Sequence, residues 1–184
     1  MPLYCGIDNG VSGSIGIIKT TSAELTTCFI RMADFTISEQ DYCKQKRSIT
    51  RIDPQKLYSL LSPYKSENPT VMIERPMVNP GRFRATVSAV RCLECTLIVL
   101  QSMLHWPIIY LDSKKWQKEL LPHGCVGSKA LKDASRDIGL RLHPLHREVI
   151  HKQGDADGIL IAEYCWRFYG GAGTETPKGR RRRS

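Results

Sequence analysis

The first twenty residues contain two short apolar segments, residues 3–7 and 14–19, on either side of a turn rich in Gly, Asn and Ser. Such residues supply the tight backbone conformations of a hairpin connection, so the pattern predicts two paired strands. A third apolar segment, residues 25–31, predicts the next strand. The polar segment that follows, residues 32–50, is predicted to be a loop over one face of the sheet.

Helix signals and a buried strand follow in the middle of the chain. Asp53 before Pro54 predicts a helix start, with aspartate as the N-cap and proline at the first helical position. The apolar segment 70–74 then predicts a short buried strand, and the strand–helix–strand order favours a parallel arrangement. Residues 77–84 are predicted to be flexible.

A long apolar pattern over residues 87–104 predicts a helix that is buried on two sides, by the sheet and by a second subunit. Residues 107–111 predict the next parallel strand. Ser128 is expected to cap a later helix and Gly139 to end it. The three helices predicted in this half of the chain cover residues 114–121, 129–138 and 154–169.

The amino-acid composition indicates which class of partner and which cellular compartment to expect. The 184 residues suit one domain, and 27 Lys and Arg against 18 Asp and Glu give a formal charge of +9, which favours a nucleic-acid partner. No apolar run approaches the roughly 20 residues of a membrane span, and no targeting peptide is expected. Seven scattered cysteines predict reduced thiols in a cytosol-like compartment. Cys92 and Cys95 have metal-pair spacing, but their apolar surroundings favour core packing.

Acidic residues stand at the ends of three predicted elements: Asp8, Glu74 and the pair Asp155 and Asp157. A sheet with the first and fourth strands adjacent would bring Asp8 and Glu74 together, and the last helix could present its first turn to both. Clustered carboxylates repel one another unless a divalent ion neutralises them, and oxygen-only ligands select Mg²⁺ or Mn²⁺. With the basic surface, this pattern predicts a nuclease that uses two metal ions.

Each carboxylate also has a purely structural interpretation. Asp8 could be a turn residue, Glu74 could be a solvated strand end paired with Arg75, and the two later aspartates could cap a helix. Three histidines with irregular spacing are expected in exposed loops (His143, His146 and His151). Only His151, which closely precedes the aspartate pair, is kept as a candidate site residue.

Several motifs occur in a characteristic order: Gly6-Ile-Asp8, Ser12-Gly-Ser-Ile-Gly16, Met72-Ile-Glu74, Trp116-Gln-Lys118, Ser128-Lys129, Gly154-Asp-Ala-Asp157 and Leu160-Ile-Ala-Glu-Tyr164. Together they resemble the RuvC-type Holliday junction resolvases, in particular the divergent phage-type and organellar branch. The resemblance assigns residues 1–170 to one domain. Residues 171–184, which end in four arginines, are expected to form a disordered basic tail.

The resemblance implies an RNase H-like α/β fold: a mixed five-stranded sheet, with the first three strands antiparallel and the last two parallel, flanked by helices. It implies a homodimer formed through helix 87–104. The family's first, second and last carboxylates fall on Asp8, Glu74 and Asp157, and Mg²⁺ or Mn²⁺ would be the cofactor, with no nucleotide cofactor. Gly154 stands where bacterial members have Asp or His, so Asp155 or His151 would be the fourth ligand.

The resemblance also implies a substrate, a four-way DNA junction resolved by paired symmetric nicks. An apolar side chain, Met77 or Phe83, would enter the junction, with Arg82 and Arg84 on phosphates. The expected phosphate contacts on the later helices are Lys114, Lys115, Lys118, Lys129 and Lys132. The expected location is the cytoplasm, that of a bacterial host if the protein is phage-encoded.

Three other functions fit parts of the pattern. Another RNase H-like nuclease, such as a ribonuclease H or a transposase-type enzyme, would share the metal chemistry and differ in substrate. An actin-like ATP-binding protein is suggested by Gly6-Ile-Asp-Asn-Gly10, but the chain is too short for two such halves. A non-catalytic junction-binding protein would not need the retained carboxylates.

Overall fold

The computed structural model describes residues 1–40 and 48–170. Within these ranges the chain forms seven strands: β1 (Leu3–Asp8), β2 (Ser14–Thr20), β3 (Leu25–Arg31), β4 (Thr36–Gln40), β5 (Ser48–Ile52), β6 (Thr70–Glu74) and β7 (Ile108–Leu111). The same ranges contain six α-helices: α1 (Pro54–Leu61), α2 (Phe83–Leu97), α3 (Ser113–Leu120), α4 (Ser128–Leu142), α5 (Arg147–Gln153) and α6 (Asp157–Tyr169).

The central sheet has the strand order β3-β2-β1-β6-β7. Strands β1, β2 and β3 pair antiparallel, whereas β6 pairs parallel to β1 and β7 parallel to β6. This is the predicted mixed five-stranded sheet. The register pairs Ile7 with Ile73, so Asp8 and Glu74 are the next residues on two adjacent parallel strands. The carboxyl ends of β1 and β6 therefore meet at one edge of the sheet.

Side chains on the two faces of the sheet form two separate cores. Cys5 and Ile7 of β1 pack with α1 and the end of α2 on one face. Tyr4 of β1 packs with α6 on the opposite face. Asp8 has the parity of Tyr4 because side chains alternate along a strand, so its carboxylate points toward the α6 face. The strand geometry thus directs Asp8 toward the N-terminus of α6.

Helix α6 lies unusually close to the sheet. A Cβ atom at Gly6 would be 2.2 Å from the Ala162 nitrogen, and one at Gly16 would be 2.3 Å from the Ile159 Cα. The Gly158 backbone nitrogen also donates a hydrogen bond to Ser14 Oγ, 3.0 Å away. The glycines of β1 and β2 therefore let the helix backbone rest directly on the strands, which fixes where α6 begins.

The predicted loop over residues 32–50 is wrong in part. A 3₁₀ turn, Met32–Phe35, leads into the antiparallel hairpin β4–β5. Both strands contain Thr and Ile, which favour strands, and neither strand has a run of buried positions. The basic residues Lys44, Lys46 and Arg47 lie outside the described residues, as does the predicted tail, residues 171–184.

Helix α2 begins at Phe83, four residues before the predicted start, and continues after Leu97 into a π-helical turn, Ile98–Met103. The apolar pattern predicted for this helix includes Val90, which is 39% exposed, and Leu100 and Leu104, which are buried. The other buried side chains of α2 and its π-helical turn are Cys92, Thr96 and Val99. The pattern was ambiguous because this helix is apolar on more than one face.

Two later boundaries also differ from prediction. Gly127, and not Ser128, is the N-cap of α4, and Gly139 lies inside this helix. A Cβ atom at Gly139 would be 2.2 Å from the Ala156 Cβ, so this glycine serves helix packing and not helix termination. The final helix, α6, begins at Asp157, three residues after the predicted start, because Gly154 adopts a left-handed conformation between α5 and α6.

The histidines do not all lie in exposed loops. His143 is 5% exposed, and its Nε2 lies 3.5 Å from an oxygen of the buried Glu163. Burial lowers the pKa of His143 to about 4. The described cysteines are free, and Cys92 lies in the core as predicted. None of the described helices has the length and apolar character needed to cross a membrane.

Candidate metal centre

Three aspartates converge where β1 ends and α6 begins. Asp8 is the last residue of β1, Asp155 lies between α5 and α6, and Asp157 is the first residue of α6. One carboxylate oxygen from each lies within 4.8 Å of the others. Asp155 is fully buried, at 1% exposure, whereas Asp8 and Asp157 are partly accessible. The sheet edge and the helix start thus supply an oxygen-only ligand set that faces solvent.

The charges in this cluster oppose one another. Burial raises the pKa of Asp8 well above its usual value, and Asp157, Glu74 and Asp155 raise it further. Burial and the repulsion from Asp155 raise the pKa of Asp157 to about 7. Ionising these groups together is unfavourable without a cation. A hard divalent ion that prefers carboxylate oxygens, such as Mg²⁺ or Mn²⁺, therefore fits this donor set.

Helix α4 supplies two side chains that hold the aspartates in place. Ser135 Oγ donates a short hydrogen bond to Asp157 Oδ1 and accepts one from the Ala156 nitrogen, 3.1 Å away. One turn earlier, Lys132 Nζ lies 3.0 Å from Asp155 Oδ2. Lys132, which the sequence suggested as a phosphate contact, therefore pairs with one carboxylate of the cluster, and its side chain is 57% exposed.

Glu74 lies beside the three aspartates but outside the group whose oxygens are within 4.8 Å of one another. Its Oε2 accepts a hydrogen bond of 2.8 Å from Trp116 Nε1, and burial raises its pKa. The neighbouring Arg75 stacks over the Tyr110 ring at 5.4 Å. Glu74 is thus held with its carboxylate toward Asp8 and not by an ion pair with Arg75.

A cleft of about 240 Å³ opens next to the carboxylates. Asp8 and Glu74 form one wall, and Met77 and Arg82 contribute to the rest. Met77 is 82% exposed. Phe83, at the start of α2, is 72% exposed but does not line the cleft. The structure therefore places Met77 nearer to the carboxylates than Phe83.

The remaining basic candidates divide between two places. Arg84 is exposed at the start of α2. Lys114 and Lys118 line a second groove, of about 340 Å³, formed by α3 and the segment that leads into α4. Lys115 and Lys129 are also exposed on these two helices.

The fourth-ligand alternatives occupy different positions. His151 is exposed on α5 and is not part of the aspartate group, whereas Asp155 is part of it. Asp155 immediately follows Gly154, whose φ of +92° turns the chain back toward the sheet. This turn, not the spacing along a helix, brings Asp155 beside Asp157.

Sequence reasoning missed the side chains that support the ligands. Ser135 and Ser14 are buried polar residues that bind the start of α6, and Asn9 Nδ2 donates to the Ala89 oxygen of α2 at 3.1 Å. Ser14 had one available signal, since it directly opposes Asp8 in the predicted hairpin. Ser135 had none, because its role depends on how α4 packs on α6.

The raised pKa of Asp157 predicts a pH-dependent effect of replacing it. The pKa is 3.8 in the unfolded chain and about 7 in the folded one, so the contribution of this carboxyl to stability is complete below pH 3.8 and is lost as pH rises through 7. Asp157→Asn should therefore stabilise the metal-free protein increasingly between pH 5.5 and 8, by about 3 °C or more at pH 8.

Melting curves of both proteins in EDTA across this range would measure the effect. Both proteins contain His143, whose lowered pKa also makes stability depend on pH. Subtracting the melting temperature of wild type from that of the variant removes this shared contribution. A difference that stays constant or shrinks with rising pH would contradict the prediction.

The Trp116–Glu74 hydrogen bond gives a second prediction. Trp116→Phe keeps an aromatic ring in this fully buried position but removes the donor, so we expect the affinity for Mn²⁺ to fall about tenfold. Trp106→Phe is the matched control, because Trp106 is also buried and donates to a backbone oxygen away from the site. Both variants should lose similar stability in urea, and equal Mn²⁺ affinities for the two would contradict a role for this bond.

No protein-family model matches the sequence, and no curated protein does either. Among solved structures, the chain is similar to Thermus thermophilus RuvC in complex with a Holliday junction substrate, at 14% identity, a TM-score of 0.50, and coverage of 87% of this chain and 90% of that chain. A second structure of T. thermophilus RuvC is 15% identical, with a TM-score of 0.50 and coverage of 90% and 96%.

These similarities show the fold. The chain has the RuvC form of the RNase H-like fold, as its motif order suggested. Its sheet edge carries an aspartate cluster able to hold a divalent metal.

Proposed function

We propose that this protein is a metal-dependent endonuclease that resolves four-way DNA junctions by paired nicks. The observation that carries the proposal is the convergence of Asp8, Asp155 and Asp157 at the end of β1 in a RuvC fold. The formal charge of +9 suits a polyanionic substrate. In one of the similar structures RuvC is bound to a Holliday junction substrate, and the fold likeness extends that substrate class to this chain as a hypothesis.

At the scissile phosphate, some residues of the chain would bind metal and others would position the metal ligands. Asp8, Glu74, Asp155 and Asp157 would hold Mg²⁺ or Mn²⁺. When bound, the ions would activate a water molecule and stabilise the leaving oxygen. Ser135 would fix the rotamer of Asp157, and Trp116 would fix that of Glu74. Both side chains thereby keep the ligands in position without touching DNA.

The cleft beside the carboxylates would receive the DNA. Arg82 lines it and would bind a phosphate, and the highly exposed Met77 would contact unstacked bases near the branch point. Phe83 and Arg84 would extend this surface along α2. Lys114, Lys115, Lys118 and Lys129 would bind phosphates of a neighbouring arm and would position the junction without reading its sequence.

The proposal includes a homodimer, because two sites are needed to nick two symmetric strands. Val90 and Ile98, two turns apart on the outer side of α2 and its π-helical turn, are 39% and 52% exposed. Apolar residues at this spacing suit burial against a second copy. Sedimentation equilibrium should give twice the chain mass of 20.8 kDa.

Cleavage of a synthetic four-way junction with Mg²⁺ tests the function, beside a linear duplex and an RNA–DNA hybrid. We expect symmetric nicks in the junction alone. Cleavage of the hybrid would instead indicate a ribonuclease H. Tight junction binding without cleavage at any Mg²⁺ or Mn²⁺ concentration would indicate a non-catalytic junction-binding protein.

A further inference from the structure

Lys132 and Asp155 form an asymmetric ion pair at the carboxylate cluster. The Asp155 side chain is 2% exposed, whereas the Lys132 side chain is 57% exposed, and the two groups lie 3.0 Å apart. The buried partner cannot leave, but the exposed partner can turn into solvent with little loss of packing. The pair therefore has one fixed member and one removable member.

The ammonium group lies where a positive charge is most needed. Asp155 belongs to the group of three carboxylates whose oxygens lie within 4.8 Å of one another, and Glu74 adds a further negative charge nearby. Within the described residues, Lys132 is the only cation that forms an ion pair with one of these carboxylates. A compact ammonium with three donors partly compensates the charge of the cluster. In this structure the ammonium contacts one carboxylate, that of Asp155, whereas a divalent ion would be held by several.

We propose that Lys132 competes with the catalytic metal for Asp155: its ammonium holds this carboxylate before metal binds and leaves it when metal binds. The inference rests on the proposed metal-dependent function and adds a residue that sets the metal affinity. Helix α4 need not move during the exchange, because Ser135 on the same helix keeps its hydrogen bonds to Asp157 and Ala156. Only the flexible lysine side chain changes position.

Mn²⁺ binding to the full chain without DNA, measured by titration calorimetry, tests the competition. Lys132→Met should bind Mn²⁺ about tenfold more tightly than wild type, because the competing charge is gone. Lys132→Arg keeps a cation at Asp155 and should bind no more tightly than wild type. Lys56→Met is the matched control, since Lys56 is 54% exposed and pairs with Asp53 at 4.0 Å on the other face of the sheet. Its affinity should stay within twofold of wild type.

Release of the lysine can be observed directly. Acetylation by an N-hydroxysuccinimide ester, followed by peptide mass spectrometry, reports how accessible each lysine is and how readily its ammonium loses a proton, because only the neutral amine reacts. Saturating Mn²⁺ should accelerate labelling of Lys132 several-fold and leave Lys56 unchanged. Neither readout uses nuclease activity. The two measurements can therefore test the competition even if the protein binds metal without cutting junctions.

The outcomes separate the two hypotheses. Mn²⁺ bound by wild type with unchanged labelling of Lys132, or with equal or weaker affinity in Lys132→Met, would overturn the competition and leave the nuclease proposal intact. No Mn²⁺ binding by any variant would overturn both. Tighter binding in Lys132→Met together with a lack of junction cleavage in wild type would support the competition and overturn the proposed function.

Discussion

Replacing Asp8 by asparagine is expected to reduce the rate of metal-dependent junction cleavage about a thousandfold or more. The same replacement is expected to raise the stability of the metal-free protein. The cleavage rate should fall because Asp8 is one of the three clustered aspartates and also lines the cleft beside them. The stability should rise because burial and three neighbouring carboxylates raise the pKa of Asp8 well above the usual value. Removing a charge that the folded protein accommodates poorly stabilises the fold.

Two measurements on the same preparation check this prediction. Junction cleavage with Mg²⁺ gives the activity, and melting in EDTA at pH 8 should give a melting temperature about 3 °C or more above that of wild type. Saturating Mn²⁺ should reverse the order of stabilities, because only wild type gains a bound ion. Asp137→Asn, on an exposed aspartate of α4, is the control that should change neither value. A metal-free variant less stable than wild type would mean that Asp8 is a structural turn residue.

The strands of the sheet were predictable because their signals are local. Short apolar segments bounded by turn residues predicted β1, β2, β3 and β6, and Asp53 before Pro54 predicted the start of α1, where Asp53 accepts hydrogen bonds from two backbone nitrogens. The expected adjacency of the first and fourth strands is confirmed by the pairing of β1 with β6. Asp8 and Glu74 are neighbours for that reason.

Features that depend on contacts between distant elements were not predictable in the same way. Gly139 was expected to end a helix, since a single sequence does not show that Ala156 packs against it. The pairing of Lys132 with Asp155 is a second example, because nothing in the local sequence distinguishes Lys132 from Lys129, one turn earlier. Only the packing of α4 beside the start of α6 brings the Lys132 ammonium to Asp155.

The position of the metal ligands therefore depends on how α6 packs against β1 and β2, as well as on the presence of the carboxylates. Asp155 and Asp157 can meet Asp8 only if the start of α6 reaches the edge of the sheet. Ser14 on β2 binds the Gly158 nitrogen, and small residues on the strands let the helix backbone approach. A chain could keep all four acidic residues and lose the site if this approach were blocked.

Gly16→Ala should block the close approach of α6 to the sheet. The added Cβ would lie 2.3 Å from the Ile159 Cα and 2.5 Å from the Gly158 oxygen, both backbone atoms, so α6 would have to move away from β2. We expect a loss of about 3 kcal/mol or more in the free energy of unfolding. Because Asp157 directly precedes these contacts, Mn²⁺ affinity should also fall, by about tenfold or more.

Gly10→Ala is the matched control in the same part of the chain. The nearest atom to its added Cβ would be 3.7 Å away, an ordinary van der Waals distance, so stability should change by less than about 0.5 kcal/mol. Urea unfolding and Mn²⁺ titration of the two variants would compare them directly. If Gly16→Ala lost stability but kept its Mn²⁺ affinity, the aspartates would be held by α4 through Ser135 and not by the seating of α6 on the sheet. If it lost neither, the close approach of helix and strand would have no energetic role.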